Sequence, residues 1–322
     1  MITLHDAITD FLFHCQFDKN LSSKTLKAYK IDLCQLQLFL INNNYDLEIT
    51  SITKIELRGY IASISHLKSK SVKRKIATVK ALFNYLEFED ILLINPFRKM
   101  RITFKEEKKL PAILDIKEIL KIFSAAYKLK EDQSNLKSEY GYFKSVRDIA
   151  ILELLFTTGA RVSELANLTK ESINLDTGYI TIKGKGNKER GIQICNKETL
   201  SILKQYRNIC KDFDTDSANY FFINRLKKKI SDQSIRGVVK NLKTKAGIGK
   251  HVTPHMFRHS FATLLLEKDV DIKYIQSLLG HSSIMTTQIY THVNREKQRQ
   301  ILETKHPRKD FSMFHKVYSN KG

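Results

Sequence analysis

A small set of residues in this chain has the types and spacing for metal-free attack on a phosphodiester. His255 and Arg258 fall three apart, Leu279-Gly280-His281 follows, and Tyr290 comes nine residues after His281. Arg161 and Lys185 lie upstream. A phosphodiester is anionic, and its pentacoordinate transition state gathers more charge on its oxygens. Fixed cations aimed at those oxygens lower the barrier. Arginine suits this work, because guanidinium stays charged and can grip two oxygens at once. A phenol has a pKa of about 10, so a tyrosine nucleophile needs help near neutral pH. Residues three apart share one helix face, which puts His255 and Arg258 together.

Other chemistries fit less well. Gly184-Lys185-Gly186 lacks the glycine and Lys-Ser/Thr order of a phosphate-binding P-loop, so nucleotide hydrolysis is not expected. His251, His255 and His259 are spaced by four, as a metal site on one helix would be. Pro254 should start the helix after His251, no carboxylate or thiolate joins them, and Arg258 would repel a divalent cation. Neither a metal nor another cofactor is therefore expected. Leu278 to Ser282 between two short helices could be a helix-turn-helix, a DNA-binding module without chemistry. That reading leaves Arg258 and Tyr290 without a purpose. His259 and His292 are expected to be structural.

The charge balance points to a polyanion. Lys plus Arg is 55 against 34 for Asp plus Glu, a net +21, with a pI near 9.7. Nucleic acid is the first candidate partner. The four cysteines are scattered with no C-x-x-C pair, as buried thiols in a reducing cytoplasm would be. No signal peptide, lipid anchor or run of ~20 apolar residues is visible, so no membrane partner is expected.

A chain of 322 residues should form two domains. Residues 1–95 read as a helical bundle. Leu26, Tyr29, Leu33, Leu36 and Leu40 form one helical stripe, and Val72, Ile76, Val79, Leu82, Phe83 and Leu86 another. The far face of the second carries basic residues, and no acid occurs from Leu57 to Leu86. Lys70, Lys73, Arg74 and Lys75 are thus candidates for the DNA backbone. Residues 96–110 read as a basic linker, adding Arg98, Lys99 and Arg101. Residues 111–293 read as a second domain. Helices are expected over Ile116 to Ala126 and Val146 to Phe156, with a polar loop from Tyr127 to Tyr142. Tyr179 to Lys183 and Arg190 to Cys195 should pair as a hairpin around Lys185. Residues 294–322 form a tail whose Ile301, Leu302, Phe311, Met313 and Phe314 need burial, expected against a neighbouring protomer.

Five motifs in order resemble the tyrosine recombinases, closest to the Xer-type and phage-integrase branch. They are Ala160-Arg161-Val162-Ser163-Glu164-Leu165, the hairpin Gly184 to Arg190, Thr253-Pro254-His255-Met256-Phe257-Arg258-His259, Leu279-Gly280-His281 and Ile289-Tyr290-Thr291-His292. The resemblance covers the second domain and, more loosely, the first.

It implies a mainly α fold with a small β-sheet. A SAM-like N-terminal bundle and an α+β catalytic domain would make a C-shaped clamp on DNA. Arg161 and Arg258 would clamp the phosphate, Lys185 would protonate the leaving 5′-oxygen, and His255 would accept or position the proton. His281 would hydrogen-bond the phosphate, and Tyr290 would form a 3′-phosphotyrosyl link. The implied partners are duplex DNA with an inverted-repeat site and three further protomers, exchanging strands through a Holliday junction. A second recombinase could supply some protomers, and an accessory protein could assist. The implied location is the cytoplasm, on the bacterial nucleoid. A type IB topoisomerase and a non-catalytic regulator on the same fold are the alternatives.

Overall fold

The computed structural model describes residues 2–103, 112–184, 188–212, 219–280 and 293–313, with the backbone alone at 212 and 293–297. The chain divides into two compact units, Met1–Lys109 and Leu110–Gly322.

The first unit packs four helices: α1 (Leu4–Phe17), α2 (Ser23–Asn42), α3 (Lys54–Ser63) and α4 (Ser69–Phe88). Thr3 and Thr53 start α1 and α3 with reciprocal caps to Asp6 and Glu56, which occupy backbone N–H groups that have no partner inside the helix. The α2 stripe is read correctly at Leu33, Leu36 and Leu40, which are fully buried, and the whole α4 stripe is buried too. The basic stretch expected to open a linker begins inside this unit. Pro96–Lys99 form a 3-10 turn, and Phe97 packs edge-on against Phe83 in the core. Among the described residues no helix is long and apolar enough to cross a membrane. Cys15 is buried, whereas Cys34, Cys195 and Cys210 are only half-buried.

The second unit is built around α6 (Glu139–Thr158), which follows α5 (Ile116–Asn135). The polar loop expected over 127–142 is instead mostly helix. Only residues 136–138 separate α5 from α6, and Ser138 caps the second by accepting the Gly141 N–H at 3.1 Å. Every residue of α6 from Ser145 to Thr158 is buried. α7 (Val162–Ala166) leads to a three-stranded antiparallel sheet: β1 (Ile173–Asn174), β2 (Tyr179–Lys183) and β3 (Glu189–Gln193). Ile180 pairs with Ile192, and Lys183 with Glu189. β1 was not foreseen; it is two residues long and carries no alternation to read. Then come α8 (Lys197–Asp212), α9 (Asp232–Lys245), α10 (Pro254–Leu266), α11 (Ile272–Leu279) and α12 (Val293–Lys305).

The tail needs correcting as far as Met313. Leu302 and Met313 are buried, and Ile301 and Phe311 pack against the core of their own unit. Arg308 is fully buried and gives Glu153 two bonds, at 2.8 and 3.0 Å, and Glu198 one at 2.9 Å. Phe314 lies outside the described residues.

Candidate active site

Two left-handed glycines bring the two candidate arginines together. Gly159 ends α6 at φ +56°, and a Cβ there would sit 2.7 Å from Leu279 Cδ2 and 2.9 Å from Phe261 Cδ1. Only glycine meets both demands. The chain then turns into Arg161, the N-cap residue of α7. Gly280 ends α11 at φ +65°, with Arg190 Cδ and Nη1 both 3.1 Å from where its Cβ would be.

Arg258 lies on α10 and is 5% exposed. Its Nη1 donates to Gly159 O and its Nη2 to Leu279 O, each at 2.7 Å. Arg161 Nη1 donates to Glu164 Oε1 at 2.6 Å, and its backbone N–H to Glu164 Oε2 at 2.8 Å. Arg190 Nη2 reaches the same Oε2 at 2.8 Å, and its Nε donates to Leu278 O at 2.9 Å. Among the described residues two guanidinium groups thus bond one carboxylate, and the third, Arg258, is held by backbone carbonyls close enough to feel their charges. Burial and the charges of Arg161 and Arg190 push Arg258 down to about 10. For Glu164 burial acts upward, but Arg190 and Arg161 outweigh it and hold the carboxyl below its usual range. Such a surplus of fixed positive charge is an anion site in waiting.

His255 lies one turn before Arg258 on α10 and is exposed. Partial burial, then the charges of Arg258, His259, Arg236 and Arg161, lower its pKa, so it is neutral at pH 7 and can take a proton. His251 precedes α10, whose N-cap is Thr253, so the three histidines do not share one helix. Among the described residues no group of three potential ligands is placed to hold a metal.

Lys185, His281 and Tyr290 lie outside the described residues. What flanks Lys185 is described. Gly184 N–H donates to Lys188 O at 2.7 Å and closes the hairpin, and a Cβ on Gly184 would lie 3.6 Å from Glu164 Oε1. The hairpin therefore springs from beside the arginine cluster.

Of the candidate backbone contacts, Lys75 must be set aside. Its side chain is 7% exposed and bonds Asp32 Oδ1 at 3.0 Å and Gln35. Arg74, half exposed, pairs with Asp32 as well, and Arg98 pairs with Glu87 at 2.6 Å. Lys70, Lys73, Lys99 and Arg101 are exposed. Glu164 and Arg190 stood inside recognised motifs without a role. The three-residue spacing of Arg161 and Glu164 was the available signal for a pair.

Comparison with known proteins identifies the architecture. The family described as "Phage integrase family" matches residues 117–297, and "Phage integrase, N-terminal SAM-like domain" matches residues 8–90. A tyrosine recombinase of Agathobacter rectalis is 47% identical over 315 residues, covering 97% of this chain and 99% of that one. A tyrosine recombinase XerC of Thermodesulfovibrio yellowstonii is 36% identical over 308 residues, covering 93% and 96%. The fold is shared with XerH site-specific recombinase bound to difH (TM-score 0.66, 23% identity, 91% of this chain and 83% of that one). It is shared too with a λ integrase tetramer bound to a Holliday junction (TM-score 0.67, 20% identity, 90% and 81%). With the arginine cluster seated in the matched region, the chain belongs to the phage integrase family of tyrosine recombinases and is of the Xer type.

Proposed function

We propose that this recombinase cuts and rejoins duplex DNA at an inverted-repeat site through a 3′-phosphotyrosyl intermediate. The observation that carries the reading is the gathering of Arg161 and Arg258 in one cluster with a surplus of positive charge: Arg161, Arg190 and Arg258 against the single carboxylate of Glu164.

In this reading Arg161 and Arg258 hold the scissile phosphate's non-bridging oxygens. The Tyr290 oxygen forms a bond to phosphorus as the bond from phosphorus to the 5′-oxygen breaks. The phenol proton passes to His255, which partial burial and then its cationic surroundings keep neutral. Lys185 supplies the proton that the leaving 5′-oxygen takes up, and His281 hydrogen-bonds the phosphate. The new ester keeps the energy of the broken bond, so a 5′-hydroxyl from a second duplex can reverse the step on a new partner.

The relatives support DNA as partner and assembly on it: XerH was solved on difH, and λ integrase as a tetramer on a Holliday junction. We read residues 1–95 as the bundle that holds the DNA backbone and 111–293 as the catalytic domain. The assembly would be a homotetramer on two sites, or a mixed tetramer with a second recombinase, aided or not by an accessory protein, on the bacterial nucleoid. A protomer contact through the tail would require the Arg308 anchor to be released or supplied by a neighbour.

The test is a suicide DNA substrate, nicked near the cleavage point and carrying the chromosomal or element site beside the gene. Wild-type protein should form a covalent adduct in EDTA, and Tyr290→Phe should form none. An adduct that persists in the variant removes Tyr290 as nucleophile.

A further inference from the structure

The two arginines assigned to the phosphate repel each other, and they sit on separate elements. Arg161 is carried by the turn before α7, and Arg258 by α10. Their spacing must suit two oxygens of one phosphate, so something has to hold it before DNA arrives.

The described contacts form a closed ring. Arg258 ties Gly159 O to Leu279 O. Leu278 O, one residue back on α11, takes the Nε–H of Arg190. The Nη2 of Arg190 reaches Glu164, whose carboxylate grips the Arg161 side chain and backbone N–H. The backbone from Arg161 to Gly159 closes the circuit. Arg190 links the Glu164 side to α11 through its side chain. It is 9% exposed, so little of it is open to a ligand.

We propose that Arg190 is a positioning residue that sets the separation of Arg161 and Arg258 by bridging Glu164 to the Leu278 carbonyl in the last turn of α11. The proposal rests on the phosphate-clamping role given above to those two arginines. Both bonds come from one planar guanidinium, with Nε and Nη2 pointing to different partners. A lysine has one nitrogen and cannot serve both. The fit is tight, since Arg190 occupies the space that a Gly280 side chain would need. β3 also anchors it: Arg190 pairs with Ile182 in the sheet whose hairpin bears Lys185. The ends of three motifs are thereby indexed to one side chain.

The experiment compares wild type with Arg190→Lys, Arg190→Gln and Arg190→Met on the suicide substrate, at saturating DNA and by titration. A positioning role predicts a rate of adduct formation lower by about 10- to 100-fold in all three variants. DNA affinity should stay within about twofold, because the phosphate contacts themselves remain. In a cycle with Arg161→Lys, the double variant should be less impaired than the product of the two single effects. Wild-type rate in Arg190→Lys overturns the proposal in favour of charge alone. Multiplying effects overturn it in favour of Arg190 as a third phosphate ligand.

A second readout needs no DNA and no catalysis. In protein labelled with ¹⁵N-arginine, the side-chain Nε–H signals of Arg161 and Arg258 should be sharp in wild type and broadened in Arg190→Lys. Unchanged signals overturn the proposal whatever the adduct assay shows. A wild-type protein that forms no adduct, but whose arginine signals respond to Arg190→Lys, would reject the proposed chemistry and keep the ring.

Discussion

Two arginine–glutamate clusters lie in the second unit, built from the same groups with opposite balance. Around Arg308, one guanidinium meets two carboxylates, Glu153 and Glu198, with Tyr127 and Thr199 hydroxyls completing the shell of Glu153. Around Glu164, one carboxylate pairs with two guanidiniums, Arg161 and Arg190, and a third, Arg258, lies within their electrostatic reach. Burial acts downward on Arg308, but Glu153 and Glu198 more than compensate and raise it above its ordinary value; Arg258 is left depressed. The first cluster is satisfied by the protein and has no use for a ligand. The second is short of negative charge, which an incoming phosphate would supply. The presence of buried arginine separates nothing here; the ratio of guanidinium to carboxylate does.

The strongest way to break this comparison is a crossed pair of substitutions. Arg258→Lys should lower adduct formation at saturating DNA by about 10²- to 10³-fold, the usual cost of losing a preorganised donor, while moving the urea midpoint little. Arg308→Met should do the reverse. It leaves Glu153 buried beside Glu198 and should cost about 3–5 kcal/mol of unfolding free energy. If each variant damaged both readouts equally, the division into a ligand-seeking and a self-satisfied cluster would fail.

The second test uses pH on the tail anchor. His306 is buried, its Nδ1 accepts the Arg308 N–H at 2.9 Å, and its Nε2–H donates to Thr157 O at 3.0 Å. The Nδ1 bond needs the neutral ring, because a protonated Nδ1 cannot accept; the Nε2–H bond to Thr157 survives protonation but does not outweigh burial. Burial lowers its pKa to about 4, against 6.5 in a free side chain. Between those values the unfolded chain binds a proton that the folded chain refuses. Stability is therefore complete above pH 6.5 and falls as pH drops towards 4, by roughly 3 kcal/mol from this group. His306→Gln should flatten that part of the curve, measured as the difference in unfolding free energy from wild type. An unchanged slope would exclude His306 as its source.

The smallest effect separates two lysines of α4. Lys70→Met should reduce the slope of log affinity against log salt by about 0.9, as one lost phosphate contact does. Lys75→Met should leave that slope unchanged, since Lys75 is engaged with Asp32 and Gln35. Equal slopes for the two variants would mean that exposure does not decide which cation meets DNA.

Much of the fold could be read in advance where one face of an element is buried. The stripes of α2 and α4, the core run of α6 and the β2–β3 hairpin all carried the period of their structure. The second half of α5 did not. Beyond Tyr127 it is almost entirely polar, with Lys130 bonding Gln205, so no apolar repeat marked it as helix. Of the tail's apolar residues, Ile301, Leu302, Phe311 and Met313 do pack away from solvent; that their own chain provides the burial, alongside the Arg308 anchor, is something sequence spacing does not reveal.

By itself the sequence determined the order and types of the chemical groups, the surplus of positive charge and the family motifs that contain Arg161, Lys185, His255, Arg258, His281 and Tyr290. Only the tertiary structure decided which cations are already neutralised. Asp32 reaches Arg74 across 42 residues, Glu153 reaches Arg308 across 155, and Arg258 finds Gly159 across 99. Coulomb interaction depends on distance in space and on local burial, and neither can be counted along a chain.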